Sequence, residues 1–283
     1  MNLIRAIRKD QALLDDINEE AKFPDEFACW WLGQSGYLLQ YKNQKLLIDP
    51  YLSDSLTRKY AHTEKPHIRM SERVIDPSLL TGITAVTSSH NHTDHLDPET
   101  LQPVMAANPD IVLICPEANR KLVAERAGTN IDFPLGLNEK QSAVVGEFTF
   151  HGIAAAHNSL DRDEQGNCLY MGFVVQFGEW TIYHSGDCLL YDGLIETISP
   201  FQPDIVFLPI NGNDPSRGVA GNMNIDESIH LAKSVNARWL VPCHYDMFTF
   251  NTANAEDFAK ASIKARQPYC ILDPGGKICG KEL

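Results

Sequence analysis

The sequence lacks the regular cysteine spacing of a disulfide framework. Its seven cysteines are an odd number at irregular intervals, and no two of them form a CxxC pair. This usage argues against a disulfide-stapled fold and favours a reducing compartment. Cys188 and Cys243 adjoin polar residues that matter below. Either could be a reactive thiol, but small buried packing residues are the interpretation that we favour.

An excess of positive charge and a long apolar run are also absent. The chain has 24 Lys and Arg residues against 37 Asp and Glu residues, a formal net charge of −13. An acidic surface repels phosphate backbones, so we expect no nucleic-acid partner, although a local basic pocket could still bind a small anion. No apolar run is long enough to cross a bilayer, and the first residues lack a secretory signal. We therefore expect a soluble, cytoplasmic protein that binds no membrane.

No short repeat, low-complexity tract or clear linker divides the 283 residues, and we expect one domain over residues 1–283. Apolar residues between Leu3 and Ile17 recur at helical spacing and predict an amphipathic helix over residues 3–20. Its second half is acidic, which favours packing on the domain or on a sister subunit over a membrane surface. We accordingly expect a homo-oligomer.

Strand-like runs form blocks near each end of the chain, and strands alternate with helices between them. This order predicts sheets covered by helices, an α/β arrangement in layers. Residues 53–78 are polar and rich in His, Arg and Pro, and we expect a long loop there. Ile83 to Ser88 is an apolar, β-branched strand, and a helix capped by Asp97 and opened by Pro98 follows shortly after it.

The most informative segment, SSHNHTDHLD, lies between that strand and that helix. Three imidazoles and one carboxylate fall within six residues: His90, His92, Asp94 and His95. In an extended or turning backbone His90 and His92 point to the same side and can bind one ion together. Asp94 and His95, on the next turn, can reach a second ion. Neutral imidazole and carboxylate suit zinc, manganese or iron. A histidine-rich solvated loop is the bland alternative, and this spacing argues against it.

Further candidate ligands stand where later strands end. His157 follows a strand that begins at Phe148, Asp187 follows the segment TIYHS, and His244 follows Trp239 to Pro242. A single histidine at a strand end is more often a hydrogen-bonded structural residue. Together the three complete a site for two metal ions.

These residues resemble the metallo-β-lactamase superfamily, whose hallmark is HxHxDH followed by His, Asp and His in that order. The resemblance implies a four-layer αββα sandwich made of two similar halves, with the metals at one edge. It also implies roles. One ion would be held by His90, His92 and His157, the other by Asp94, His95 and His244, with Asp187 bridging them.

A narrower likeness covers most of the chain. The segments CWWLGQSGYLL, TIYHSGD, DPSRGVAGNMNIDES and NARWLVPCHYD are similar to those of the L-ascorbate-6-phosphate lactonase group. One departure is His157, where those lactonases carry another residue and a longer insert. The likeness implies a hydrolase that opens a lactone or a related small, anionic ester or amide.

In such a site two divalent ions lie about 3.5–4 Å apart, and a water bound to them has a pKa near 7. We expect the resulting metal-bound hydroxide to attack the substrate, with Asp94 or Asp187 as the general acid or base. A phosphodiesterase of the same superfamily is an alternative, and a non-catalytic metal-dependent binding protein is another. Iron-based oxygen chemistry also occurs in the superfamily, but no flavin-binding domain follows.

Other residues are weaker candidates. Asp49 ends a strand and is expected either to hydrogen-bond a ligand histidine or to cap a turn. Arg217, Asn211 and Tyr245 are candidate substrate-binding residues, although a solvated loop arginine is the interpretation of Arg217 that we slightly favour. Similar candidates on the long loop are Arg58, Lys59 and Arg69. The role of His184 stays open, and four histidines are expected to be ordinary surface or core residues: His62, His67, His151 and His230.

Overall fold

The computed structural model describes residues 3–283, and its strands form two mixed sheets. The first sheet has seven strands in the order β13-β1-β2-β3-β4-β5-β6. These are β1 (Ala28–Gly33), β2 (Gly36–Tyr41), β3 (Gln44–Ile48), β4 (Ile83–Thr87), β5 (Val112–Pro116), β6 (Leu135–Leu137) and β13 (Lys277–Cys279). The strands from β13 to β3 pair antiparallel, and those from β3 to β6 pair parallel.

The second sheet has six strands in the order β12-β11-β10-β9-β8-β7. They are β7 (Ser142–Val145), β8 (Phe148–Ala154), β9 (Met171–Phe177), β10 (Trp180–His184), β11 (Ile205–Pro209) and β12 (Trp239–Cys243). Here too an antiparallel block, β7 to β10, continues into a parallel block, β10 to β12. The two sheets therefore repeat one pattern of strand directions, in agreement with two similar halves.

Alternation along the strands explains why the sheets stack. In β2, Tyr37 and Leu39 enter the core shared with the second sheet, whereas Leu38 faces the opposite way into a separate core. Successive side chains of a strand point to opposite faces, so a strand that is apolar on both faces must be covered on both. All six residues of β2 are buried.

Helices supply the two outer layers. Apolar residues of α1 (Gln11–Glu20), α3 (Pro98–Ala107) and α4 (Arg120–Ala127) pack on the first sheet. Those of α5 (Leu194–Ile198), α6 (Ile225–Ser234) and α7 (Ala255–Ala265) join the core that contains the second sheet. The architecture is the four-layer αββα sandwich that the resemblance implied.

The N-terminal helix is shorter than predicted. It begins at Gln11, not at residue 3, because the backbone before it bonds to other segments. Ile4 N donates to Met70 O at 2.7 Å, Ile7 N donates to Pro274 O at 2.9 Å, and Asp10 N donates to Val74 O at 2.8 Å. A backbone N–H that is used between segments cannot also close a helical turn. The apolar spacing of this stretch therefore does not make it helical.

The polar stretch 53–78 also differs in part from a simple loop. It contains the short helix α2 (Ser55–Lys59) and a 3₁₀ turn that begins at Pro77. Within residues 3–283, no helix combines the length and the apolar character that a membrane span requires.

Candidate metal centre

The histidine-rich segment lies in the connection between β4 and α3. His95 N and Leu96 N both donate to His92 O, at 3.1 and 2.8 Å, so the segment folds into a tight turn. The turn holds His90 and His95 in the interior, where they are 1% and 0% exposed. The strand that precedes it is buried, which fixes the point from which the turn starts.

The later candidates come to the same place from the second sheet. His157 lies after β8, Asp187 lies after β10, and His244 follows β12 directly. Their ligand atoms form two groups, each with all of its atoms within 4.8 Å of one another. One group is His90, His92, His157 and Asp187, and the other is Asp94, His95, Asp187 and His244. Asp187 belongs to both groups, which is the position that a bridging ligand would need.

Contacts across the two groups are short. Asp187 Oδ1 lies 2.5 Å from His244 Nε2 and 3.2 Å from His95 Nε2. Asp187 Oδ2 lies 3.4 Å from His157 Nε2, and that nitrogen is 3.1 Å from His92 Nδ1. The distances place donor atoms of all four connecting segments around one small space.

Buried polar atoms without hydrogen-bond partners indicate whether a metal fits between these candidate ligands. Among the buried polar atoms that lack a hydrogen-bond partner within the described residues, four lie at this space: His90 Nε2, His95 Nε2, His244 Nε2 and Asp187 Oδ1. An unpaired buried polar atom costs about 1–3 kcal/mol. Four of them pointing into one space are what a set of metal ligands shows without its ion. The residues therefore fit a metal.

Partners on the far side of each ring orient the histidines. His157 Nδ1 lies 2.7 Å from Gly221 O, and His95 Nδ1 lies 2.7 Å from Asp49 Oδ2. Both acceptors require a proton on Nδ1, which leaves the lone pair of Nε2 free for an ion. Asp49 thus makes a hydrogen bond to a candidate ligand histidine, which is one of the two roles that the sequence left open.

Asp49 is fully buried and also organises the start of the turn. It accepts hydrogen bonds from Thr87 Oγ1 at 2.8 Å, from Ser89 N at 3.0 Å and from Ser89 Oγ. Because the Ser89 hydroxyl donates to Asp49, its oxygen is free to accept from His90 Nδ1, 3.0 Å away. One carboxylate therefore orients two histidines, the second of them through Ser89.

Charge in the cluster is arranged for a cation. Burial and neighbouring histidines hold the pKa of His90 well below its usual value, and burial lowers the pKa of His92 to about 4. Burial would raise the pKa of Asp187, but His244 and His95 outweigh it and leave that pKa well below the ordinary range. Neutral His90 and His92 beside an ionised Asp187 are in the protonation states that metal binding needs. Burial would lower the pKa of His95, but Asp187 and Asp94 outweigh it and raise that pKa well above its usual value, so an ion would displace the His95 proton.

Three residues at the site have left-handed backbone conformations that residues other than glycine rarely adopt. They are Gln34 (φ 53°), Asp49 (φ 40°) and His244 (φ 61°). Such a conformation costs on the order of 1–3 kcal/mol and persists only where the surroundings hold it. His244 N donates to Gln34 O at 3.3 Å, which ties two of the three together.

Gly186 allows Asp187 to approach the histidine turn. It has φ 58°, and a Cβ atom on it would lie 2.7 Å from Ser89 Oγ. His184 shapes the same turn, since its Nε2 donates to Ser35 O at 2.9 Å and its Nδ1 accepts from Gly186 N at 3.2 Å. Both of its ring nitrogens are used, so His184 is a structural residue.

A cleft of about 530 Å³ opens over the cluster. We call its deepest part the floor, which is formed by His92, Asp94, His157, Asp187 and His244. We call its outer part the mouth, which is formed by Lys59, Tyr60, Lys65, His67, Arg126, Phe248 and Phe250. A cleft of this size fits a small molecule.

The three predicted substrate-binding residues lie outside the cleft lining. Tyr245 is 1% exposed, stacks on Trp31 at 4.3 Å and donates its hydroxyl to Leu272 O at 2.6 Å. Asn211 is buried and donates to Asn251 Oδ1 at 2.9 Å. Arg217 donates to the same oxygen at 2.7 Å and to Gly212 O at 2.6 Å. Asn211 and Arg217 therefore hold Asn251, a residue of the cleft lining, whereas Tyr245 belongs to the core.

The basic candidates on the long loop differ in whether they line the cleft. Lys59 lines the cleft, whereas Arg58 is paired with Glu99, and Arg69 donates to Asp54 Oδ1 at 2.7 Å. His67, expected to be an ordinary histidine, lines the cleft as well. Nothing in its sequence neighbourhood indicates this, because its aromatic contacts come from distant parts of the chain.

Sequence reasoning also missed Gln34 and Tyr170. Gln34 lies in the turn between β1 and β2, donates to Asp94 Oδ2 at 2.9 Å, and its Nε2 lies 3.1 Å from His244 Nδ1. Tyr170 lines the cleft, with its ring 5.5 Å from the rings of His90 and His157. The positive φ of Gln34 could not be predicted, because that position holds neither glycine nor asparagine, the residues that favour this conformation.

The thiols beside the ligands are packing residues. Cys188 and Cys243 are buried, and burial raises the pKa of the Cys188 thiol to about 12 and that of Cys243 further still. A thiol with such a pKa is inert at neutral pH.

The four-layer fold and the paired His and Asp clusters define the class: this chain is a metal-dependent hydrolase. A model of the beta-lactamase superfamily domain matches residues 44–245, and the chain belongs to that family. It is 28% identical over 253 residues to a UPF0173 metal-dependent hydrolase of Methanosarcina mazei, covering 88% of this chain and 96% of that one. A similarly named protein of Archaeoglobus fulgidus is 28% identical over 252 residues, covering 87% and 95%.

Solved structures show the same fold. The isothiocyanate hydrolase from Delia radicum gut bacteria superposes with a TM-score of 0.69 at 21% identity, covering 89% of this chain and 98% of that one. The metallo hydrolase Igni18 of Ignicoccus hospitalis gives a TM-score of 0.64 at 18% identity, covering 90% and 98%. At these identities the likeness establishes the architecture alone.

Proposed function

We propose that this protein hydrolyses a small anionic ester, and most specifically that it opens a lactone, with two divalent ions of zinc or manganese at its floor. The observation that carries the proposal is the pair of ligand clusters that share Asp187 beneath a cleft of about 530 Å³. A two-cluster floor under a small cleft suits hydrolysis of a small molecule.

The clusters divide the ligands between the ions. His90, His92 and His157 would hold one ion, and Asp94, His95 and His244 the other, with Asp187 common to both. When bound, the ions supply Lewis-acid polarisation of the carbonyl and a lower pKa for the attacking water.

Protein groups supply the proton transfers. Asp94 lines the cleft, with a side chain that is 15% exposed, and Gln34 fixes one of its oxygens. In the proposed reaction, water oxygen bonds to the lactone carbonyl carbon and gives its proton to a floor carboxylate, Asp94 or Asp187. The ring C–O bond then breaks, and the proton passes to the departing oxygen to yield a hydroxy acid.

The sequence likeness to the L-ascorbate-6-phosphate lactonase group supports the lactone as the substrate class. The lining of the cleft suits a small anionic substrate, because the mouth joins an apolar aromatic wall to cationic side chains. We propose a small-molecule substrate and neither a nucleic acid nor a membrane as partner.

An activity panel tests this proposal. The protein would be loaded with Zn²⁺ or Mn²⁺ and assayed on phosphorylated lactones, bis-p-nitrophenyl phosphate and benzyl isothiocyanate. We expect lactone turnover that disappears in Asp94→Ala and persists in Asp192→Ala, an exposed carboxylate outside the cleft. Turnover of the phosphodiester or the isothiocyanate without turnover of any lactone would contradict the proposal.

A further inference from the structure

The charge of the cleft is opposite to that of the chain. Acidic residues outnumber basic ones 37 to 24 over the whole sequence. Among the residues that line the cleft there are three permanent cations, Lys59, Lys65 and Arg126, and only two carboxylates. Both carboxylates, Asp94 and Asp187, belong to the ligand clusters. The three cations of the mouth therefore face no carboxylate in the cleft lining apart from the candidate metal ligands.

None of the three cations forms an ion pair with a carboxylate in residues 3–283. Nearby Arg58 and Arg69, by contrast, are both paired with acids. Unpaired cations that surround a concave site concentrate anions there.

Contacts with neutral groups hold the cations in place. Lys59 Nζ lies 3.4 Å from Thr93 Oγ1, and Lys65 Nζ donates to Gly218 O at 2.5 Å. Arg126 Nη1 donates to Asn91 O at 2.6 Å. Each partner is itself a residue of the cleft. An ammonium has three donors and a guanidinium has five, so each cation keeps donors for a ligand.

An apolar wall stands beside these cations. The His67 ring lies 4.5 Å from Tyr60, 5.4 Å from Phe248 and 5.2 Å from Phe250, measured between ring centroids. A ligand on this wall displaces water, and the attraction between opposite charges strengthens as the local dielectric falls.

We propose that Lys59 and Lys65 form an anion subsite at the mouth that selects substrates with a carboxylate or phosphate group remote from the bond that is cleaved. This inference rests on the proposed function, since it specifies the substrate class of the same cleft. Arg126 adds charge to the subsite and also supports the backbone of Asn91, so the two lysines are the residues to test.

Equilibrium binding tests the subsite without any turnover. The metal-loaded protein would be titrated by calorimetry with the dicarboxylates glutarate, adipate and pimelate. Each would be compared with the monocarboxylate that lacks its second carboxyl group: butyrate, valerate and hexanoate. In each pair, both ligands have one carboxylate that can bind the ions. Only the dicarboxylate has a second carboxylate, so a difference in affinity within the pair reports binding to the lysines.

We expect at least one dicarboxylate to bind about five- to tenfold tighter than its partner, with a preference that shrinks as salt is added. The double variant Lys59→Met/Lys65→Met should reduce that preference to less than about twofold. Lys121→Met, an exposed lysine of α4 outside the cleft, should leave it unchanged. Thermal unfolding of each variant verifies the fold.

The inference is overturned if no dicarboxylate is preferred by the wild type, or if the preference survives in the folded double variant. Its failure is distinct from failure of the proposed function. A preference lost in the double variant supports the subsite even if no lactone is hydrolysed, and lactone turnover without any preference supports the function alone. A matched kinetic pair, γ-hexalactone and 3-(5-oxotetrahydrofuran-2-yl)propanoate, differs only in a carboxylate remote from the ring and should show the same contrast in KM.

Discussion

The floor and the mouth of the cleft are built in different ways. Floor residues follow strands of both sheets, lie in or near the interior and are held by buried partners such as Asp49 and Gln34. Mouth residues come mainly from residues 59–67 and 248–250, with Arg126 from α4, and their side chains are exposed or half-buried apart from Phe248. A floor anchored in the sheets favours fixed chemistry, whereas a mouth on connecting segments favours selection among substrates.

The largest effect should come from the carboxylate shared by the two clusters. Asp187→Asn removes one anionic ligand from both ions, so we expect activity to fall by more than the roughly 10–100-fold that follows loss of a hydrogen-bond partner behind a metal ligand. Metal content by mass spectrometry should fall with it. Asp192→Asn, an exposed change five residues away, is the matched control. Full activity in Asp187→Asn would remove the basis for a shared site.

A smaller effect should follow from the group behind the ligands. Asp49→Asn keeps the shape but loses the anion that orients His95 and, through Ser89, His90. We expect metal affinity to weaken about 10–100-fold. Competition with a fluorescent chelator would measure it. Asp76→Asn also alters a carboxylate that accepts a hydrogen bond from a serine. It lies at an exposed turn, so we expect this variant to leave the metal affinity unchanged. Equal affinities for the two variants would mean that Asp49 only shapes the turn.

A substitution in the mouth should change KM, whereas the two substitutions above should change activity or metal affinity. His67→Ala removes the ring against which three other aromatic rings pack, and we expect KM to rise about tenfold, for a loss of roughly 1.4 kcal/mol of apolar contact, with little change in kcat. His230→Ala, an exposed histidine of α6, serves as control. A drop in kcat or in metal content with KM unchanged would erase the distinction between floor and mouth.

The smallest effect on activity should come from a change remote from both regions. Lys277 Nζ donates to Asp16 Oδ1 at 2.9 Å and to Glu20 Oε1 at 2.6 Å, which joins α1 to β13. Because the three side chains are largely buried, we expect Lys277→Met to lower the free energy of unfolding by about 1–2 kcal/mol at neutral pH, with unchanged kcat and KM. Denaturant unfolding and steady-state kinetics would measure these quantities.

The two ion pairs that Lys277 makes with Asp16 and Glu20 also make the stability of the protein depend on pH. Burial would raise the pKa of Asp16, but hydrogen bonds from Trp30 and Lys277 outweigh it, and the pKa is lowered. The pKa of Glu20 is lowered for the same kind of reason. Lowered carboxyl pKa values contribute stability above the unfolded-state values, and that stability is lost as the pH falls through the folded-state values. The stability difference between wild type and Lys277→Met should therefore shrink below about pH 4. A difference that grows there would contradict the ion-pair account.

How well the sequence predicted each part follows from how local its cause is. The turn from His90 to His95 was recognisable because its spacing lies within six residues. His157, Asp187 and His244 were recognisable because each follows an apolar strand. Sheets covered by helices followed from the order of strands and helices, whereas the four-layer arrangement was implied by the family resemblance. The helix start at Gln11 was not predictable from spacing, because residues 4–10 bond to segments about 65 and 265 residues away.

Substrate contacts were the least predictable. Tyr245 adjoins His244 in sequence, but its ring packs in the core on Trp31, so adjacency to a ligand did not place it in the cleft. His67, Gln34 and Tyr170 reach the site only through tertiary packing, and no local pattern marks them. Residue type therefore predicted the chemistry of the floor, whereas the shape of the mouth needed the folded chain.

The central claim is that two ions share one carboxylate at the floor, and anomalous diffraction from crystals grown with Mn²⁺ or Zn²⁺ tests it most directly. The account predicts two anomalous peaks, one among His90, His92 and His157 and one among Asp94, His95 and His244, with Asp187 between them. A single peak, or peaks away from these side chains at saturating metal, would contradict it.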